Sequence, residues 1–307
     1  MENLALDYAC YLSYENTSAL ITRTCGNSSL SSQHIGNLVK KKSQQISERQ
    51  KSSIAIFSAS QAIVEAVEVD IYTDSNDGKV NEIVYFSDDV CVKTQKAKRD
   101  KILKIGRQFS STRVRMFSLG KDNFQTVVAG CDVNAVDLVK TRLWEKYGSQ
   151  SHCLPIVAIT DGATTLKIEL TAIFGKAVIH ILDWYHLHHK ITQTMTMIAH
   201  KESCKQYKQD LLALLWDGKT QEAIKYLEKI APKNEKSKAM LITYLNKNST
   251  TIIDYNRRKA LGRTIGSGRG EKQNDILVAK RQKYKAMAWS PKGSLALALV
   301  IANKIAK

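Results

Sequence analysis

Pro155-Ile156-Val157-Ala158-Ile159-Thr160-Asp161-Gly162 and Ala177-Val178-Ile179-His180-Ile181-Leu182-Asp183 decide the fold. Each is a short apolar run, the mark of a strand buried on both faces. Between them Leu166, Leu170 and Ile173 recur at helical spacing, and Gly175 closes the helix. The unit is strand, helix, strand, with a carboxylate, Asp161 or Asp183, ending each strand. In α/β sheets that edge is where ligands bind.

Upstream, Glu82 to Gln95 alternates as a strand, with Val84, Phe86, Asp88, Val90 and Val92 sharing one face. Asp88 on an apolar face is costly unless a cation or hydrogen-bond donors meet it. Asp89 falls on the polar side with Ser87, Cys91 and Lys93. Val67 to Tyr72 reads as a further strand, Ser75-Asn76-Asp77-Gly78 as a turn and Lys96 to Thr112 as a basic loop. Val114–Leu119 and Phe124–Ala129 read as a hairpin, after which Asp132 caps a helix to about Tyr147.

Residues 1–50 read as helices. Leu4, Leu12, Leu20 and Ile21 give an apolar face, Gly26-Asn27 a stop, and Ser31-Ser32-Gln33 opens a helix carrying Ile35, Leu38, Val39 and Ile46. With Lys40, Lys41 and Lys42 on its surface, that helix resembles the groove-reading element of a helix-turn-helix. Nothing precedes Met1 to complete a three-helix unit, so the motif reads as partial. Downstream, residues 185–200, 203–216, 219–230, 235–248 and 250–260 read as successive helices. After the loop Ile265-Gly266-Ser267-Gly268-Arg269-Gly270, Glu271 begins a helix to about Ala288, Pro291-Lys292-Gly293 interrupts it, and 294–305 is a last apolar helix.

Composition narrows the function. The 307 residues carry 46 Lys and Arg against 29 Asp and Glu, a formal net charge of +17, which predicts a polyanionic partner. Residues 256–307 hold 13 basic residues against 2 acids, whereas 65–89 hold 8 acids against Lys79. A basic surface beside an acidic pocket suits metal-dependent phosphodiester chemistry, and a solvated loop beside a basic tail produces the same counts. Six scattered cysteines without a CxxC pair support neither a disulfide framework nor a cysteine zinc site. The start, Met1-Glu2-Asn3-Leu4, has no signal-peptide character, and no apolar run spans a membrane.

Several residues carry two readings. Asp161 is a metal ligand or a helix cap. Glu271 follows glycines that admit close approach to a phosphate or metal, and its place in a first turn equally suits the helix dipole. Asp183, His186, His188 and His189 cluster at a strand-to-helix join, without the spacing and general-base Glu of a zinc hydrolase. Lys280, Arg281, Lys283 and Lys285, near Tyr284 and Trp289, suit a phosphate-binding helix or a solvated face.

Four motifs then stand in order: Phe86-Ser87-Asp88-Asp89-Val90-Cys91-Val92-Lys93; Ile159-Thr160-Asp161-Gly162-Ala163; Ile181-Leu182-Asp183-Trp184-Tyr185-His186-Leu187; and Ile265-Gly266-Ser267-Gly268-Arg269-Gly270-Glu271, followed by Arg281-Gln282-Lys283 and Met287-Ala288-Trp289-Ser290. The set resembles a bacterial insertion-sequence DDE transposase of the Mutator-like group, over roughly residues 80–305. The resemblance implies an α/β fold: a ribonuclease-H-like mixed sheet with a large all-helical insertion. It places the catalytic, metal-binding triad on Asp88, Asp161 and Glu271, with Asp89 competing for the first position and Asp183 and His186 as accessories. The 110 positions from Asp161 to Glu271 match an inserted helical domain. Two Mg²⁺ or Mn²⁺ ions are the implied cofactors, double-stranded DNA at transposon ends and target the partner, a homodimer or larger assembly the working form, and the bacterial cytoplasm, at the nucleoid, the location. Lys40, Lys41, Lys42, Arg269, Lys280, Arg281 and Lys283 are the expected DNA contacts. The expected organisation is a helical segment at 1–52, the first part of the core at 53–183, the insertion at 184–262 and the rest of the core at 263–307. A remnant that only binds DNA and a ribonuclease-H-like nuclease without strand transfer are the competing readings.

Overall fold

The computed structural model describes residues 1–26, 30–73, 82–93, 111–120, 125–148, 153–283 and 287–305; the side chains at 88, 89 and 111–120 lie outside that description. Helices α1 (Glu2–Ala9), α2 (Tyr14–Cys25) and α3 (Ser32–Ala59) come first. Strands β1 (Glu65–Ala66), β2 (Ile83–Lys93), β3 (Ser111–Gly120) and β4 (Gln125–Val128) precede α4 (Ala135–Tyr147). Strands β5 (Cys153–Leu154) and β6 (Ile156–Thr160), helix α5 (Thr164–Phe174) and strand β7 (Ile179–Leu182) follow. The run α6 (Trp184–Ile198), α7 (Lys201–Trp216), α8 (Thr220–Lys229), α9 (Glu235–Asn248) and α10 (Tyr255–Ala260) is helical throughout. Helix α11 (Gly268–Asn274) passes through a π turn at Asp275–Ala279 into α12 (Lys280–Gln282), and α13 (Pro291–Ile305) ends the described chain.

The main sheet has the order β4-β3-β2-β6-β7. Strands β2, β3 and β4 form an antiparallel meander, and β6 and β7 run parallel to β2. Strands β1 and β5 form a separate parallel pair. The architecture is mixed α/β, as the strand-helix-strand pattern predicts.

Three apolar clusters hold the layers together. On one face Ile83, Tyr85, Ile156 and Ala158 meet Leu138 and Leu143 of α4 and Leu170 and Phe174 of α5. On the other, Val84, Phe86, Val157 and Ile159 meet Leu187, Ile191, Leu211, Leu227 and Leu241 of the helical run. Every residue of β6 is buried, which explains why its sequence lacks polar alternation. Farther along β2, Val90 and Val92 join a third cluster with α1 to α3, Leu277, Val278 and α13. The even-numbered residues of β2 therefore pass from one core to another, and position 88 falls at the junction.

The helical ends are encoded locally. Ser13, Ser31, Asn134, Asp183, Asn234 and Asp254 each accept a main-chain N–H in the first turn of their helix. Asn134 displaces the expected cap Asp132, whose positive φ of 58° sets it in the preceding turn. Val67 to Tyr72 is not a strand: Asp70 accepts the Tyr72 N–H at 2.9 Å, so its side chain competes with sheet pairing. The helix expected over 250–260 starts at Tyr255, after Thr251 has bonded the Leu182 N–H at 2.8 Å. The helix expected from Glu271 starts three residues earlier, at Gly268, and is helical to Gln282 rather than to Ala288. Pro291 opens α13 rather than interrupting a helix, because a first-turn residue needs no N–H donor. The Ser75–Gly78 turn and nearly all of the basic loop at 96–112 lie outside the described residues. Among the described residues no helix is long and apolar enough to cross a membrane.

Candidate active site

The sheet carries three aspartates on or just past adjacent strands. Strand β2 pairs with β6 from Ile83–Ile156 to Tyr85–Ala158, and Asp88 and Asp161 each stand three residues past that last pair. Strand β6 pairs with β7 at Thr160–Leu182, so the next position sets Asp161 beside Asp183. Neighbouring strands lie about 4.8 Å apart. Asp161 and Asp183 thus follow the ends of β6 and β7, and Asp88 lies within the longer neighbouring strand β2.

Helix α11 arrives at the same end. Gly270 lies so close to β2 that a Cβ there would stand 3.3 Å from Phe86 Cβ, two residues before Asp88. Glu271 is exposed in the first turn of this helix. The charges of Glu271 and Asp161 add weakly to the rise of the His186 imidazole, behind its hydrogen bond to Asp183.

Asp183 anchors the arrangement. It is fully buried; Oδ1 accepts the His186 N–H at 2.9 Å and Oδ2 accepts the Ser267 N–H. Burial pushes its carboxyl up, but hydrogen bonds from His186 and Ser267 outweigh that and hold it at about 2. His186 Nδ1 stands 3.5 Å from Oδ1, and that hydrogen bond raises the imidazole above its ordinary value against the opposing effect of burial. Two further bonds knit the loop: Trp184 N–H donates to Ile265 O at 3.2 Å and Asp183 N–H to Thr160 O at 2.8 Å. A Cβ at Gly266 would fall 2.5 Å from the ring of exposed Tyr185, so a larger residue there would displace that ring. The loop before Glu271 is thereby fastened to the end of β7.

Asp161 stands differently. It is exposed, and Oδ1 accepts the Ala163 N–H at 2.9 Å, a local turn rather than a cap of α5, whose cap position is Ala163. Gly162 follows with φ of 84°, where a Cβ would meet Leu182 Cδ1 at 2.8 Å and Asn248 Oδ1 at 3.0 Å. Burial and the Asp161 and Asp183 charges push the Tyr244 hydroxyl up to about 12. The Asn248 contact brings the end of α9 to Gly162, next to Asp161.

Both ends of the helical run α6 to α10 are tied to the sheet. Tyr255 donates to Leu182 O at 2.8 Å and packs on Trp184 at 5.0 Å. Arg258, fully buried, pairs with buried Glu82 and donates to Ile71 O and Thr264 O, each at 2.8 Å. The sequence reading missed this clamp. Arg257-Arg258-Lys259 looks like a solvated basic run, and only the spacing of Tyr255 and Arg258 on one helical face separates the middle residue.

The other nominated residues divide. Lys40 and Lys41 are exposed and Lys42 half-buried on α3; Arg269 and Lys283 are exposed; Lys280 is exposed and 3.7 Å from Asp275. Arg281 is a correction: it is 2% exposed, donates from Nε to Ala9 O at 3.1 Å and lies over the rings of Tyr14 and Trp289. The Ala9 carbonyl and the two rings take up its guanidinium, so it does not stand on a solvated phosphate-binding face. His188 and His189 lie on α6, and His189 bonds Gln193 at 2.7 Å.

Asp161 and Glu271 are hard oxygen donors exposed to solvent, the type that suits Mg²⁺ or Mn²⁺. Asp183, with both oxygens committed to main-chain N–H groups, suits positioning rather than ligation. Among the described residues no three His, Cys, Asp or Glu side chains are grouped to hold a metal; the Asp88 and Asp89 side chains lie outside them.

No protein-family model matches this chain, and no curated protein matches it.

Proposed function

We propose that this chain is a DNA transposase of the DDE type, built on a ribonuclease-H-like core in which Asp88, Asp161 and Glu271 form the metal-binding acids. One observation carries the reading. An antiparallel meander is continued by two parallel strands, with Asp88 on β2 and Asp161 just past the adjacent β6, while the helix carrying Glu271 lies against β2. In ribonuclease-H-like terms the strands follow the order 3-2-1-4-5, and the helices α6 to α10 are the insertion between the second Asp and the Glu.

Each residue then has a task. Asp88 and Asp161 present oxygens from the sheet, and Glu271 presents a third carboxylate from α11. Asp183 fixes the Ser267 N–H and so the loop that delivers Glu271. His186, held by Asp183, keeps a proton at Nδ1 beside the site. When bound, a pair of Mg²⁺ ions supplies activation of water or a DNA 3′-hydroxyl and stabilises the leaving oxygen of an in-line displacement. The basic residues Lys40, Lys41, Lys42, Arg269, Lys280 and Lys283 hold DNA through its phosphates. The protein works in the bacterial cytoplasm as a dimer or larger assembly on double-stranded DNA.

The test is Mg²⁺-dependent cleavage and strand transfer on a duplex carrying the inverted repeats that flank the coding region. Asp161→Asn and Glu271→Gln should each reduce cleavage at least 100-fold while leaving DNA affinity in place. Cleavage at the wild-type rate in either variant overturns the triad. Cleavage without strand transfer identifies a nuclease, and salt-sensitive binding without any cleavage identifies a DNA-binding remnant.

A further inference from the structure

Beside β7, the last strand of the sheet, a cavity of about 160 Å³ opens between the start of α5 and the end of α9. Gly162, Thr164, Lys167, His180, Lys247 and Asn248 are among the residues that line it. Thr160 and Gly162, the two chain neighbours of Asp161, also form its wall, so the cavity adjoins one of the proposed metal-binding acids.

Its wall presents an unmet acceptor and two unmet cations. Asn248 is 5% exposed, and its Nδ2 donates to Tyr244 O at 2.9 Å. Its Oδ1 meets no donor among the described residues and keeps accessible surface. That oxygen faces Gly162: a Cβ there would stand 3.0 Å from it, and glycine leaves the space open. Neighbouring polar groups are already spent. The Thr251 hydroxyl donates to Asn248 O at 2.9 Å, and His180 Nε2 pairs with the Thr171 hydroxyl at 3.2 Å. Lys167 of α5 and Lys247 of α9 are both exposed, and neither forms an ion pair among the described residues. A nearly buried acceptor asks for a hydrogen-bond donor, and two cations at the mouth ask for an anion. Size narrows the ligand further. An engineered apolar cavity of about 150 Å³ holds benzene. At about 160 Å³ this cavity therefore admits one six-membered ring rather than the fused rings of a purine.

We propose that this cavity takes an unpaired cytosine of the bound DNA strand, its exocyclic amino group donating to Asn248 Oδ1 and its phosphate facing Lys167 and Lys247. Cytosine is the pyrimidine that offers an amino donor at this edge, where thymine sets a carbonyl oxygen beside its methyl group. The preference for a ring with a donor and a negative charge stands on the cavity alone; the choice of a nucleotide rests on reading the chain as a DNA-processing protein.

The main-chain amide of Gly162 and the side-chain amide of Asn248 report on the cavity by NMR, and Asn248→Ala assigns the second. Titration with 2′-deoxycytidine 5′-monophosphate, without metal, should shift both. Thymidine 5′-monophosphate and inorganic phosphate should each bind about 10-fold more weakly, because neither gives the nearly buried oxygen an amino donor. Lys167→Gln and Lys247→Gln each remove an exposed charge and should weaken cytidylate binding about 3-fold with an unchanged melting temperature. Asn248→Ala should erase the preference for cytosine over thymine. Where that variant fails to fold, the ligand comparison on the wild type and the two lysine variants keep the proposal testable. Unmoved Gly162 and Asn248 resonances overturn the proposal, as does equal binding of the two nucleotides, or of nucleotide and phosphate. Binding is read without cleavage, so absent cytidylate binding with intact Mg²⁺-dependent cleavage overturns this proposal alone. Cytidylate binding without any cleavage supports the cavity and overturns only the transposase reading.

Discussion

Asp183→Asn removes one charge and leaves the shape of the side chain almost unchanged. In the wild type the two carboxylate oxygens accept the N–H groups of His186 and Ser267. The amide keeps one acceptor and turns a second donor toward a main-chain N–H, so one buried donor loses its partner. Hydrogen bonds to a charged group contribute about 1.5–3 kcal/mol, and stranding a buried donor costs about 1–3 kcal/mol. The expected destabilisation is about 2–4 kcal/mol at pH 7. The pH dependence gives an independent check. The carboxyl is held at about 2 against an ordinary 3.8, and ~1.36 kcal/mol per unit makes that about 2 kcal/mol. Because the folded value is depressed, this stability is present above the unfolded value and is lost as pH falls from about 4 toward 2. Urea unfolding at pH 7 and at pH 2.5 measures both quantities. The variant should be less stable at pH 7 and should lose about 2 kcal/mol less on acidification. A cost below about 0.5 kcal/mol at pH 7, or an acid limb as steep as the wild type's, refutes the role given to Asp183.

Glu82→Gln leaves Arg258 buried without its counter-charge, and chemical denaturation should register about 3–5 kcal/mol; a change within ~1 kcal/mol would place the pair outside the core. Gly162→Ala forces a side chain into a left-handed φ of 84° and against Leu182 Cδ1 at 2.8 Å, so the melting temperature should fall measurably. An unchanged melting temperature would mean that the strand end relaxes freely. Burial, aided by Lys167, holds His180 at about 4, below its ordinary 6.5. The unfolded chain therefore takes up a proton first as pH falls, and stability should drop between about 6.5 and 4. His180→Gln should flatten that limb in a pH series of thermal melts, and an unaltered slope would assign it to other groups.

The parallel half of the sheet was legible because β6 is buried throughout and β7 is mostly apolar, the two runs being followed by Asp161 and Asp183. Ser31 likewise announced α3 through its capping chemistry. What escaped the sequence reading was set by tertiary contacts. Arg281 read as a surface cation and Arg258 drew no reading of its own, and both are buried because distant segments supply their partners: Ala9 and Tyr14 for the first, Glu82 and Ile71 for the second. Asp70 and Asn134 won local contests of hydrogen bonding that periodicity cannot register. Of the site, the residues at strand ends were visible as carboxylates, whereas the fastening of Ser267 to Asp183 depends on a loop 84 positions away.

The central claim is that acids from β2, β6 and α11 share divalent cations, and iron-directed self-cleavage tests it most directly. Fe²⁺ replaces Mg²⁺ in the protein, ascorbate and peroxide generate hydroxyl radicals at the bound ion, and mass spectrometry maps the cuts. The account predicts cuts clustered near residues 88, 161 and 271, suppressed by excess Mg²⁺ and lost in Asp161→Asn. Cuts elsewhere, or cuts that Mg²⁺ and the substitution leave unaltered, would contradict it.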